Sequence, residues 1–214
     1  MPAASPYRPR GFTPPRPWAP LSDAEWGVLL PHVARRAAGR QVGDLRARMD
    51  AIFHMACRGH DVPWRDLPPA YGKPDTVSRF FRRVTHAGLW HHLLEALARA
   101  DLRGDHPLLR IEHYVVRACR RAARLGGLRL VFLIKRLGRV SALNAPSWVL
   151  PDLRLSELAR RHAAHLVPQT TREPGERAYP FLARARRYLR DLKRLHRMAG
   201  GRARIPRALR LVWP

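Results

Sequence analysis

Lys73, Thr76, Ser78, Arg79, Arg82 and Arg83 fall within one short stretch, and their types suit contact with phosphates and base edges. A guanidinium presents a planar fork of donors that matches two acceptors at once, on a phosphate or on the edge of a guanine. The same stretch carries Val77, Phe80, Phe81 and Val84 at i, i+3, i+4 and i+7, the rhythm of a helix with one apolar side. The spacing predicts a helix over 75–86 that buries the aromatic side. The opposite side then offers Ser78, Arg79, Arg82 and Arg83, with Lys73 and Thr76 at the entry. In that arrangement Arg79 and Arg82 face guanine edges, while Arg83 and Lys73 face phosphates. An amphipathic surface helix also collects arginines by chance, so the stretch needs its surroundings.

Other chemistry is thinly represented. Past Glu112 the acids are Asp152, Glu157, Glu173, Glu176 and Asp191, none of them in an alternating apolar run of strand type. There is no GxSxG elbow, P-loop or dinucleotide fingerprint. His162 and His165 have an i, i+3 spacing that can bind metal, but no acid or cysteine stands beside them, which favours a solvated role. Cys57 and Cys119 form no metal pattern and no disulfide framework; each reads as a small buried hydrophobe.

The elements that must position the basic stretch are legible. Ser22 can cap a helix, with Asp23 and Glu25 at its positive end and Glu25 completing a capping box. After Gly39 and Gly43 a second helix is expected over 44–58, with Leu45, Met49, Ile52, Phe53 and Ala56 inward and Gly59 as its stop. Pro63, Pro68 and Pro69 forbid a long helix next, and one short helical turn is expected between Trp64 and Tyr71. Asp75 is the expected N-cap of the third helix, Gly88 its end, and 89–103 a fourth helix. Helix, short turn and basic helix form the layout of a helix-turn-helix, whose last helix enters the major groove by its N-terminal half.

Charge points the same way. Lysine and arginine number 41 against 16 acids, a net charge of +25, which attracts polyanions. Only three of the basic residues are lysines, which fits DNA contact and equally fits coding bias in a G·C-rich genome. Residues 1–20 hold seven prolines with Arg8, Arg10 and Arg16, the composition of a disordered basic arm. The longest apolar run, 130–134, is far too short to span a bilayer, and no signal-peptide stretch is seen. A cytoplasmic, nucleoid-associated location is expected.

Five strings stand in one order: LSDAEW (21–26), MDAIFHMACRG (49–59), PWRDLP (63–68), YGKPDTVSRFFRR (71–83) and LWHHLLEALA (89–98). Together they resemble the N-terminal domain of bacterial insertion-sequence transposases of the insertion sequence five family. One departure is that His60-Asp61-Val62 stands where the family shows a Gly-Cys pair, although Pro63, Trp64 and Leu67 are retained. A fainter likeness follows in LLRIEHYVVRACRRAARLGG (108–127), similar to the start of the family's catalytic domain, with Glu112 at the position of its first catalytic aspartate. No correspondence extends past Gly127. The resemblance implies a DNA-reading domain and, for the whole family, DDE chemistry in which three carboxylates hold two divalent metals such as magnesium. Glu112 displaces its carboxylate by a methylene relative to aspartate, enough to harm such a site. About 100 mostly helical residues remain for a domain that needs several strands.

From Asp105 onward there are 25 basic and 7 acidic residues, so +18 of the +25 lies in this half. Helices are expected over 108–125, 155–166 and 179–198. In the last, Phe181, Leu182, Ala185, Tyr188, Leu189, Leu192 and Leu195 form a stripe opposite Arg184, Arg187, Arg190, Arg194 and Arg197. A shifted reading frame over 128–214 would produce a similar composition, and that alternative stays open. The expected architecture is all-α: an arm over 1–20, a helix-turn-helix bundle over 21–104, and a basic helical region over 105–214. The expected function is transposase-derived binding of duplex DNA, at transposon-end-like sequences and without cleavage. No cofactor or metal site is expected, and a separately encoded catalytic subunit is a further partner. Two alternatives remain: a diverged or two-frame DDE-type transposase using Glu112 and magnesium, and a basic amphipathic adaptor for a membrane surface or a protein.

Overall fold

Capping chemistry opens the first helix, α1 (Asp23–Ala34): the Ser22 hydroxyl accepts from the Glu25 amide, and the Glu25 carboxylate accepts from the Ser22 amide. The computed structural model describes residues 13–36, 44–104, 106–147 and 178–199, with a few isolated positions between 150 and 165. Every regular element among them is helical. Helix α2 (Leu45–Arg58) starts on an Asp44 side-chain cap and stops at Gly59. Two 3-10 turns follow, Trp64–Asp66 and Pro69–Tyr71, then α3 (Pro74–His86) and α4 (Leu89–Arg103). A further 3-10 turn, Pro107–Ile111, leads into α5 (Glu112–Arg136); Val140–Ala142 forms another, and α6 is Ala178–Ala199.

Proline accounts for two differences from expectation. One helical turn was expected between Trp64 and Tyr71, but Pro68 and Pro69 split that segment into two. Asp75 is not the N-cap of α3. Pro74 takes the first helical position, where its fixed φ is already helical, so Lys73 becomes the cap residue and Asp75 lies in the first turn. Glycine accounts for a third difference. Rather than stopping near residue 125, α5 runs through Gly127, which kinks it at φ 59° and ψ −154°, a conformation that residues with a Cβ avoid.

One apolar core joins the two expected regions. Ile52 and Phe53 of α2, Val77 and Phe81 of α3, and Leu93 and Leu97 of α4 share it with Tyr114, Val115 and Cys119 of α5. The boundary expected at 104–105 therefore does not separate two cores, because the apolar sides of α2 and α4 are closed by α5. Leu130, Val131, Ile134, Ala142, Leu143 and Leu150 belong to the same core. Packing thus continues past Gly127.

Residues 13–20 correct the expectation of a disordered arm over that part of 1–20; residues 1–12 lie outside the described residues. The segment runs without helix along the body. The Thr13 amide donates to Ser141 Oγ at 2.7 Å and its hydroxyl to Glu112 at 3.0 Å. Arg16 pairs with Glu25 at 2.6 Å, and Trp18 Nε1 donates to the Tyr71 hydroxyl at 3.0 Å. The Tyr114 hydroxyl accepts from the Ala19 amide and donates to the Pro17 carbonyl. Prolines favour this: they hold the chain extended and remove amides that would otherwise need partners.

Several histidines are held neutral by packing. His32 Nδ1 and His92 Nε2 lie 2.8 Å apart, sharing one hydrogen, and burial lowers the pKa of both. Burial and then the neighbouring Arg117, Arg120 and Arg16 push His113 down to about 4, while the Pro14 carbonyl beside it opposes the shift. Because these folded pKa values lie below the unfolded one, the unfolded chain takes up protons first as pH falls. Their stabilising contribution is complete above about pH 6.5 and declines toward pH 4. Thermal melts across that window should show a falling midpoint, less steep in His113→Gln; an identical slope in that variant would refute the assignment.

Candidate nucleic-acid interface

Helix α3 rests on α2, α4, α5 and the first 3-10 turn. Val77, Phe80, Phe81 and Val84 are buried against them, as the spacing predicted. Lys73, Thr76, Arg79 and Arg82 are exposed, together with Asp75 and His86. Arg83 is half-buried; its guanidinium lies 5.3 Å from the centre of the Phe80 ring, which Arg48 of α2 approaches at 5.8 Å. Ser78 corrects the expected set, being only 5% exposed. With neighbours on so many sides, the buried arc of α3 is wider than its apolar residues alone. It takes in Ser78 and Thr85, and the Thr85 hydroxyl accepts from Trp90 Nε1 at 2.7 Å.

The turn before α3 is held from α5. Arg121 donates to the carbonyls of Gly59 at 3.0 Å and Val62 at 2.6 Å, and its guanidinium lies 4.1 Å from the centre of the Trp64 ring. Trp64 in turn packs on Phe81 of α3, ring centres 5.4 Å apart. Burial lowers Arg121 to about 10 and Arg120 to about 9, leaving both charged at neutral pH. Arg120 donates to the Ser141 carbonyl at 2.5 Å.

Glu112, which the resemblance would put at the position of the family's first acid, is engaged elsewhere. Arg139 reaches it with one guanidinium nitrogen and Asp101 of α4 with another, and Thr13 donates to the same Glu112 oxygen as Arg139. Arg139 is 3% exposed. A guanidinium therefore stands between the two carboxylates where a cation would have to sit, and these residues do not fit a divalent metal. Among the described residues, no three histidine, cysteine or acidic side chains gather as metal ligands.

The net charge counts Arg120, Arg121 and Arg139 with the other arginines, yet all three are buried. The available signal was YVVRACRRAA (114–123): small apolar residues all round a helix require that its arginines be buried too. Only part of the apolar stripe on α6 is covered, with Ala185 buried but Leu182 and Leu189 38% and 51% exposed. Arg184, Arg187, Arg190, Arg194 and Arg197 are exposed as expected, as are His162 and His165. The expected helix over 155–166 and the tail from 200 lie outside the described residues apart from isolated positions. Burial raises the Cys57 thiol to about 11 and raises Cys119 as well, in keeping with structural roles.

Residues 21–94 match the family model described as "Putative transposase of IS4/5 family (DUF4096)". The match runs from the start of α1 into α4 and covers all of the turn and α3. This segment is therefore related to the N-terminal region of insertion-sequence transposases. No curated protein and no solved structure matches the chain. No helix among the described residues is long and apolar enough to cross a membrane.

Replacing Arg121 with alanine removes two charge-assisted hydrogen bonds and the contact with Trp64. The expected loss is about 2–4 kcal/mol of stability, read as a lowered thermal midpoint by circular dichroism. Arg121→Lys should recover less than half of it, because an ammonium cannot serve both carbonyls while stacking on the ring. A midpoint within about 2 °C of the parent for Arg121→Ala would show that the turn does not depend on this residue.

Proposed function

We propose that this chain is a transposase-derived protein that binds duplex DNA, with α2, the two short turns and α3 acting as a helix-turn-helix. The observation that carries this reading is the exposed series Lys73, Thr76, Arg79 and Arg82, from the cap of α3 into its second half, on a helix whose other sides are anchored. A rigidly backed helix of that length fits a major groove, and arginines near its start reach base edges and phosphates. The match of this segment to transposases supports the same partner. We further propose that the target is transposon-end-like DNA and that the chain does not cut it. The engagement of Glu112 by Arg139 and Thr13 supports that second point. A separately encoded catalytic subunit would then supply strand transfer.

Fluorescence anisotropy with duplexes carrying the terminal repeats of the surrounding element tests the reading. Arg79→Ala and Arg82→Ala should each weaken binding by about 1–3 kcal/mol. Lys73→Ala should lower the salt slope by about 0.9, whereas Ser78→Ala should leave DNA contacts intact. If Arg79→Ala and Arg82→Ala both bind every duplex like the parent, α3 is not the reading helix. Incubation with magnesium should leave the same DNA intact; cutting that disappears in Glu112→Gln would overturn the non-cleaving assignment.

A further inference from the structure

Two open grooves meet at one arginine. The first, about 250 Å³, lies between the turn and α5 and is lined by Trp64, Arg82, Arg121 and Arg124. The second, about 480 Å³, lies between the kink of α5 and α6 and is lined by Arg124, Gly127, Leu189, Lys193 and Arg197. Arg124 belongs to both and is exposed. Basic side chains thus line both grooves, Arg82 and Arg124 in the first and Arg124, Lys193 and Arg197 in the second, with Asp61 as an acid in the first.

The α6 end continues the pattern. Arg186, Arg190, Lys193 and Arg197 succeed one another at spacings of four, three and four, and all are exposed. At 100° per residue these positions fall within a narrow stripe roughly 16 Å long. Asp191, the one acid of α6, lies at least a quarter-turn away from it. A line of cations with no acid of its own helix beside it matches a line of phosphates, since each contact releases condensed counterions.

We propose that the track from Arg124 to Lys193 and Arg197 holds the sugar–phosphate backbone of duplex DNA beyond the base pairs that α3 reads. The proposal rests on the DNA-binding reading of α3 and extends it to the half of the chain outside the family match. Phosphate contacts of this kind set register and orientation without reading sequence. The kink at Gly127 matters here because it shapes the wall of the second groove beside Arg124.

The test uses the full chain and a labelled random-sequence 36-base-pair duplex, with anisotropy followed over a salt series. Arg124→Ala/Lys193→Ala/Arg197→Ala should weaken binding at least tenfold and lower the salt slope by about 2.7, which is 0.9 for each of three phosphates. The double variant Lys193→Ala/Arg197→Ala, confined to exposed positions of α6, should lower it by about 1.8. A control of equal charge, Arg35→Ala/Arg99→Ala/Arg103→Ala, removes exposed arginines at the C-cap of α1 and on α4 and should change the slope far less. If the track and control variants behave alike, general charge rather than a track binds the backbone and the proposal fails. Tighter binding to anionic phosphatidylserine vesicles than to the duplex at physiological salt would also overturn it. The two readings separate cleanly: Arg79→Ala/Arg82→Ala without effect sinks the α3 assignment, while an unaffected track variant sinks only this one.

Discussion

Arg121, buried on α5, ties that helix to the backbone of the turn before α3. Its guanidinium satisfies the carbonyls of Gly59 and Val62 and lies over Trp64, which packs on Phe81. The turn, with prolines at 63, 68 and 69, has few amides with which to hold itself together. Its geometry is consequently borrowed from a helix nearly 60 residues away. What α3 can present to a partner depends on that borrowed geometry, because the exposed side of a helix is set by how its other sides are held.

The same logic redefines Glu112. A carboxylate at the entry of a catalytic domain would have to remain open to metal ions. Here it receives Arg139 and Thr13, with Asp101 sharing the arginine. A buried guanidinium is costly unless its donors are matched, and two acids from different helices supply that match. The acid has become part of the clamp between α4, α5 and the segment after α5. Chemistry and packing compete for one side chain, and packing has it.

Net charge takes on structure in this fold. Of the large arginine excess, Arg120, Arg121 and Arg139 are internal and hold backbone carbonyls or acids. Arg16, in the segment before α1, pairs with Glu25 and donates to the Arg110 carbonyl. Exposed arginines remain on α3, at Arg124 and over α6, and others such as Arg35, Arg99 and Arg103 lie elsewhere on the surface.

Much of the first hundred residues was legible from sequence because local rules and tertiary structure agree there. The Ser22–Glu25 capping box, the stop at Gly59, the reach of α4 and the inward Val77, Phe80, Phe81 and Val84 follow from caps, glycine and periodicity. Local rules failed where distant segments meet. Ser78 looked exposed until the packing partners of α3 widened its buried arc. Residues 13–20 looked like a free arm, yet Tyr114, Tyr71 and Ser141 supply the hydrogen bonds that hold them. The sequence alone determined an all-α, strongly basic chain with an amphipathic helix near its start that carries arginines on its outer side. Tertiary structure alone decided which arginines face outward, what became of Glu112, and that α5 completes the core of the transposase-like segment. Those outcomes depend on partners far apart in the chain, and no pattern of neighbouring residues encodes them.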